Sequence, residues 1–179
     1  MADFDSFRAV LRHYPTGVAV VAGKTEHGPV GLSIGTFMSV SLVPLLVGFL
    51  VDHKSTSWPP IRDVGAFCVS ILGADQESLG RAFAASGGDK FRSVAWRPSP
   101  TGAPIIEGAV LWIDCSVYAE HRVGDHNFVA GQVHHFQMER DIRPLLFVHG
   151  NFVAIDSEPV VVAPPRRGGR QRRARAVSY

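Results

Sequence analysis

Only two cysteines, Cys68 and Cys115, occur in the 179 residues, and both lie in apolar, strand-like runs. That usage excludes a disulfide-stapled scaffold and points to two buried free thiols in a reducing, cytoplasmic compartment. Long apolar runs are missing too. The best candidate, "SVSLVPLLVGFLVD", is interrupted by Pro44, Gly48 and Asp52, so no bilayer span and no membrane association are expected. The N-terminus, "MADFDSFRAV", is acidic and helix-like, unlike a signal peptide. No C-x-x-C or H-x-x-x-H spacing occurs. His134 and His135 are adjacent and would point to opposite faces of a strand, so no metal site is expected. There is no G-x-G-x-x-G after a strand and no alternation of strands with long helices, which excludes a Rossmann unit. No internal repeat is visible.

Charge of one sign is scarce in the body of the chain. The formal net charge of +2 comes from 18 basic and 16 acidic residues, but six of the arginines (166, 167, 170, 172, 173 and 175) fall in the last fourteen residues. Without them 12 basic residues face 16 acidic ones, a body near −4, so no nucleic-acid track is expected. Residues 159–179, rich in Pro and Arg and without apolar periodicity, read as a disordered tail behind one domain spanning 1–158. A hydrophobic fraction of 46% suits a single folded core of that length.

What is present is mostly short strands. "DFDSFRAVLRHY" puts Phe4, Phe7, Val10, Leu11 and Tyr14 at helical spacing, with Asp3 or Asp5 as cap. "TGVAVVAG", "PVGLSI", "LLVGFLV" and "AFCVSIL" read as strands, the first two joined around "KTEHG". "STSWPPIRDV" reads as a turn into a short helix with prolines near its start. "ADQESLGRAFAAS" reads as a helix capped by Asp75, followed by the glycine-rich loop "SGGDKF". Two long strands, "AVLWIDCSVYAEHRV" and "NFVAGQVHHFQM", turn at "GDH", and "PLLFVHGNF" reads as a last strand. The fold class is therefore mainly β, a β-barrel with peripheral helices.

"GLSIGTFMSVSL" contains G-x-S-x-G, the pattern of a serine-hydrolase nucleophile elbow at Ser33. An elbow needs a helix directly after it. Here Thr36, Ser39, Val40, Ser41 and Pro44 follow, which are poor helix formers, so Ser33 reads as a ligand hydroxyl rather than a nucleophile. Ser33, Thr36, Ser39 and Ser41 suit a polar, sugar-like chain. Downstream, "VDHKSTS" offers Lys54, Ser55, Thr56 and Ser57, a cation and hydroxyls for a phosphate, with helix-start N–H groups expected to assist. Together they suit a flavin mononucleotide or the equivalent part of FAD.

The segments "FRAVLRHYPTGVAVV", "GLSIGTFMSVSLVPLLV", "VDHKSTS", "LGRAFAASGGDKF", "WRPSPTGAPIIEGAVLWIDCSV", "GDHNFVAGQV" and "PLLFVHGNF" follow one another in this order. Over residues 4 to 153 the chain closely resembles the flavin reductase-like family, the reductase components of two-component flavin monooxygenases. The resemblance implies an FMN-binding split β-barrel, a homodimer, and reduction of FMN or FAD by NADH or NADPH. It also implies a separate monooxygenase that receives the reduced flavin. By position it places Ser33, Ile34, Gly35, Thr36, Ser39, Val40 and Ser41 along the flavin ring and ribityl chain. Asp52, His53, Lys54, Ser55 and Ser57 fall on the phosphate side. Phe83, Ala84, Ser86, Lys90 and Phe91 close over the flavin, and His126, His149 and Phe152 lie on the nicotinamide side. His126 is expected at most to orient the nicotinamide or relay a proton. Gly35 and Met38 stand where hydroxyl or amide residues are frequent in that family. His149 and Phe152 replace a common Arg and Tyr, which bears on NADH against NADPH. The remaining alternative is a non-catalytic flavin-binding or partner-docking barrel.

Overall fold

The computed structural model describes residues 3–154; the Pro/Arg-rich 159–179 segment lies outside them. Helix α1 (Phe4–Leu11) begins where the Asp3 carboxylate accepts the Ser6 N–H at 3.1 Å, an N-cap that fixes which of the two aspartates starts the helix. After it come β1 (Thr16–Gly17), β2 (Ala19–Thr25), β3 (Gly28–Ile34), β4 (Met38–Leu42) and β5 (Leu45–Asp52). Next are α2 (Trp58–Val64), β6 (Ala66–Ile71) and α3 (Glu77–Ala84). The chain continues through β7 (Trp96–Pro98), β8 (Pro104–Ile106), β9 (Leu111–Val123), β10 (His126–Met138), β11 (Leu146–Val148) and β12 (Asn151–Val153).

Seven of these strands form one antiparallel sheet in the order β3-β2-β6-β9-β10-β5-β4. The sheet curls on itself. Leu32 and Ile34 of β3 share a core with Val47, Phe49 and Val51 of β5, although the two strands are not hydrogen-bonded neighbours. The barrel is thus split between β3 and β5, and α2 plugs it with the buried Trp58 and Ile61. Phe49, Trp58 and Phe67 meet edge to face there at centroid distances of 5.4–6.1 Å.

Strand β2 is buried on both faces, which explains its unbroken "AVVA" run. Ala19 and Val21 face the barrel interior; Val20 and Ala22 join Phe83 of α3, Phe91 and Ile106 in a second core outside it. A third, smaller core joins Cys68 and Trp112 to Ala103 and Ile105, so the β7–β8 hairpin covers the outer face of β6 and β9. Asp114, fully buried, holds the loop before β8: it accepts Ser99 Oγ at 2.7 Å, Thr101 Oγ1 at 2.6 Å and Thr101 N at 3.0 Å.

Two expectations change, and α1 stands apart from the cores. Asp75 does not cap α3. A 3-10 turn over Ala74–Gln76 precedes that helix, and the Asp75 carboxylate is drawn to Arg140 Nη2 at 2.7 Å. "PLLFVHGNF" is two strands, because His149 (φ 53°) and Gly150 (φ 80°) take left-handed conformations and reverse the chain. The apolar face of α1 meets no core: Phe4 is 87% exposed and Val10 68%.

Candidate functional site

A cleft of about 580 Å³ opens at the split, a size suited to a cofactor or small molecule. Its walls are the end of β3 with the following turn (Leu32 to Thr36), the end of β5 (Leu50 to Asp52), the 54–57 segment, the end of α3 with its loop (Phe83 to Gly87, Lys90) and His126 at the start of β10. Antiparallel pairing sets His126 opposite Asp52, which is how residues 74 apart in sequence reach one rim.

The floor is apolar and rigid. Phe83, 1% exposed, meets Phe91 edge to face at 5.0 Å. It fits because Gly31 lacks a side chain: a Cβ there would lie 2.8 Å from Phe83 Cε1. Thr36 fixes the β3 exit, since its hydroxyl accepts Leu50 N–H at 2.8 Å and donates to Leu50 O at 3.4 Å. That hydroxyl is spent on the backbone, so Thr36 lines the cleft while its side chain holds the wall together.

The polar end is built by a turn. Asp52 Oδ1 accepts Lys54 N–H at 2.8 Å, and its carbonyl accepts Ser55 N–H at 2.9 Å. His53 is tied back by its N–H to Asp125 O (3.1 Å) and through its ring to Asn127 Oδ1 (2.8 Å). Because the Asn127 amide NH2 donates to Glu120, its oxygen must accept, so His53 Nε2 donates. Glu120 also receives the Trp58 indole N–H at 3.2 Å, locking α2 to the β9–β10 hairpin.

The expected help from helix-start N–H groups is largely absent. Trp58 N–H is already given to Ser55 Oγ at 3.2 Å, and Pro59 and Pro60 have no N–H. The free donors lie one step earlier: the Thr56 and Ser57 amides, and the Thr56 hydroxyl, have no partner among the described residues. Two cations flank them. Lys54 is exposed, whereas Lys90 Nζ reaches across from the loop to Phe83 O (3.1 Å) and Ser57 Oγ (3.5 Å). Burial lowers the Lys90 pKa from its ordinary 10.5. On the rim it shares with Asp52, His126 Nδ1 donates to Asp125 Oδ1 at 2.7 Å, leaving Nε2 free. That bond is the largest cause holding the Asp125 carboxyl below its usual range.

Of the residues singled out from sequence, Ser33, Ile34, Gly35, Thr36, Asp52, Lys54, Ser55, Ser57, Phe83, Ala84, Ser86, Lys90 and His126 converge on this cleft. Ser39, Val40 and Ser41 do not; they lie on β4, where Ser41 Oγ accepts Val43 N–H at 3.2 Å. His53 sits behind the turn. Phe91 lines a smaller pocket of about 180 Å³ that shares Thr56, Ser57 and Lys90 with the cleft. His149 lies elsewhere, its N–H bonded to Arg12 O at 2.7 Å and its ring against His13. Phe152 lines a separate apolar slot, with the Arg81 guanidinium 4.9 Å from its ring centre. Thr56, read from the hydroxyl run as a phosphate-side residue, lines the cleft as well, and so do Ala85 and Gly87. No group of three or more His, Cys, Asp or Glu side chains among the described residues could hold a metal ion.

A family model described as "Flavin reductase like domain" matches residues 11–156. The chain is 46% identical over 147 residues to a flavin reductase of Pseudomonas putida, covering 82% of this chain and 86% of that protein. It is 38% identical over 160 residues to HsaB, the reductase subunit of a flavin-dependent monooxygenase of Rhodococcus jostii, covering 89% and 82%. Among solved structures, the NADH:FAD oxidoreductase SgcE6 of Streptomyces globisporus, in complex with NAD and FAD fragments, superposes with a TM-score of 0.81. It shares 32% identity, over 89% of this chain and 95% of that one.

Proposed function

The chain belongs to the flavin reductase-like family, and from that premise we propose that the cleft at the barrel split is where it binds flavin. The chain is an oxidoreductase of the two-component monooxygenase type: it uses NAD(P)H to reduce FMN or FAD, and a separate monooxygenase consumes the product. The observation that carries the site assignment is the polarity of the cleft. One end gathers the free Thr56 and Ser57 amides, the hydroxyls of residues 55–57 and two lysines, a donor set suited to a phosphate. The other end is walled by Leu32, Ile34, Phe83 and Ala84, suited to a flat ring.

Hydride moves from nicotinamide C4 to flavin N5 once the two rings stack at roughly 3–3.5 Å. What this chain supplies is placement. The Thr36–Leu50 clamp holds the wall beside the ring, Gly31 lets the Phe83–Phe91 pair form a fixed floor, and the Asp52 turn aims the 54–57 donors. The Asp125 hydrogen bond orients the His126 ring with Nε2 available to the donor side. No side chain is required to form a bond to either substrate.

Two finer features belong to the same proposal. The chain is a homodimer, supported by the uncovered apolar face of α1 and by Leu42 and Val43, which are 77% and 92% exposed. It works in the cytoplasm, supported by two buried free thiols; no helix among the described residues is long and apolar enough to cross a membrane. The activity test is NADH oxidation at 340 nm with FMN or FAD added. Flavin-dependent turnover is expected, and no oxidation at any flavin concentration would overturn the proposal. Light scattering checks the dimer, and a monomer at micromolar concentration would refute it.

A further inference from the structure

The segment that carries the free donors, residues 54–57, is held mainly from outside itself. Its internal hydrogen bonds are local: Lys54 N–H to Asp52 Oδ1, Ser55 N–H to Asp52 O and Trp58 N–H to Ser55 Oγ. The anchors lie at its two ends. His53, just before it, gives its ring N–H to Asn127 Oδ1 at 2.8 Å, and the Asn127 amide passes that tie on to Glu120 Oε1. Trp58, just after it, gives its indole N–H to the same Glu120 oxygen at 3.2 Å. One carboxylate oxygen on β9 therefore grips both ends of the donor segment. The other ties are the His53 N–H on Asp125 O (3.1 Å) and the long reach of Lys90 to Ser57 Oγ (3.5 Å).

Strand alternation explains why this carboxylate stands outside the cleft. His126 and Asn127 are neighbours on β10 and point to opposite faces. His126 lines the cleft, whereas Asn127 pairs with Val51, a barrel-interior residue, and turns inward to meet Glu120 beside the Trp58 plug.

We infer that Glu120 is a positioning residue for the flavin phosphate: through Asn127–His53 and through Trp58 it holds residues 54–57 with their N–H groups and hydroxyls aimed into the cleft. This rests on the flavin-reductase reading above, which seats the phosphate there. The sign of the effect is diagnostic. A carboxylate near a bound phosphate repels it, so on charge alone removing Glu120 would tighten FMN. Acting by position, its removal does the reverse. A slack segment has to be ordered again by the phosphate, and re-fixing the backbone of one residue costs roughly tenfold in affinity.

The test is fluorescence-quenching titration of the full chain with FMN and with riboflavin, whose difference isolates the phosphate. Glu120→Ala releases both ends and should weaken FMN roughly tenfold while changing riboflavin by less than about twofold. Glu120→Gln keeps an oxygen for both donors and sheds the charge, so FMN affinity should return to within about twofold of wild type or exceed it. Asn127→Ala frees only the His53 end and should weaken FMN roughly threefold. That effect should shrink in the Glu120→Ala background, because the two residues act as one chain. FMN affinity in Glu120→Ala equal to or above wild type would overturn the inference. So would equal weakening of FMN and riboflavin, or full additivity in the double variant. Should Glu120→Ala not fold, Asn127→Ala carries the same comparison, and an unchanged FMN-to-riboflavin ratio there overturns the inference. If wild-type protein binds FMN no more tightly than riboflavin, it is the phosphate seat of the flavin reading that fails, and the positioning role falls with it.

Discussion

Replacing Lys90 by methionine separates the two jobs its position implies. The Nζ group spans the cleft rim, donating to Phe83 O at 3.1 Å and approaching Ser57 Oγ at 3.5 Å. It is therefore both a strut and a half-buried charge beside the free Thr56 and Ser57 amides. A charge-assisted hydrogen bond contributes about 1.5–3 kcal/mol, and partial exposure favours the lower end. A phosphate losing it should bind about tenfold more weakly. Losing the strut loosens the rim for any flavin. Riboflavin, which has the ring and ribityl chain but no phosphate, distinguishes the two. Fluorescence-quenching titrations at pH 7.5 should show Lys90→Met weakening FMN about tenfold beyond any loss for riboflavin. The pH dependence follows from burial. Disfavouring the charged form lowers the Lys90 pKa below 10.5, so the cation is present at neutral pH and disappears earlier than on a free lysine as pH rises. FMN affinity should fall on that alkaline limb, while Lys90→Arg, charged throughout, should remove the limb. Equal weakening of FMN and riboflavin, or none of either, would refute the placement of the phosphate beside Lys90.

Other expectations concern the scaffold and the donor side. Asp114→Ala strands the buried Ser99 hydroxyl and the two Thr101 donors and should cost about 2–4 kcal/mol in denaturant unfolding; a change under about 0.5 kcal/mol would contradict the role given to it. Burial raises the Cys115 pKa to about 12 and moves Cys68 in the same direction. Both thiols should resist Ellman's reagent in the native state at pH 8 and react once the chain is unfolded. Because the folded pKa values lie above the unfolded value near 9.0, their contribution is complete below that pH. It should erode by up to about 1.4 kcal/mol per thiol per pH unit above it, and Cys68→Ala/Cys115→Ala should flatten that slope. His126→Ala should slow hydride transfer in stopped flow by less than about tenfold if the ring only orients the donor. A loss of 10²-fold or more would assign it acid–base work instead.

Much of this was legible in the sequence because the physics is local. The apolar runs of β2, β5 and β6 and the prolines opening α2 announce themselves, as does the hydroxyl run at 55–57. What stayed hidden depends on partners far along the chain. β4 reads as a loop because its hydroxyls and exposed Met38, Val40 and Leu42 lack a clean alternation; pairing with β5 makes it a strand. Asp75 looks like a cap until Arg140 is beside it. Thr36 looks like a ligand hydroxyl until Leu50 takes it.

The most direct measurement of the central claim is anaerobic mixing of the protein with NADH and a severalfold excess of free FMN, followed at 450 nm. The account predicts that the flavin band bleaches through several equivalents per protein, with NADH consumed one for one. Bleaching no faster than in a control without protein would contradict it.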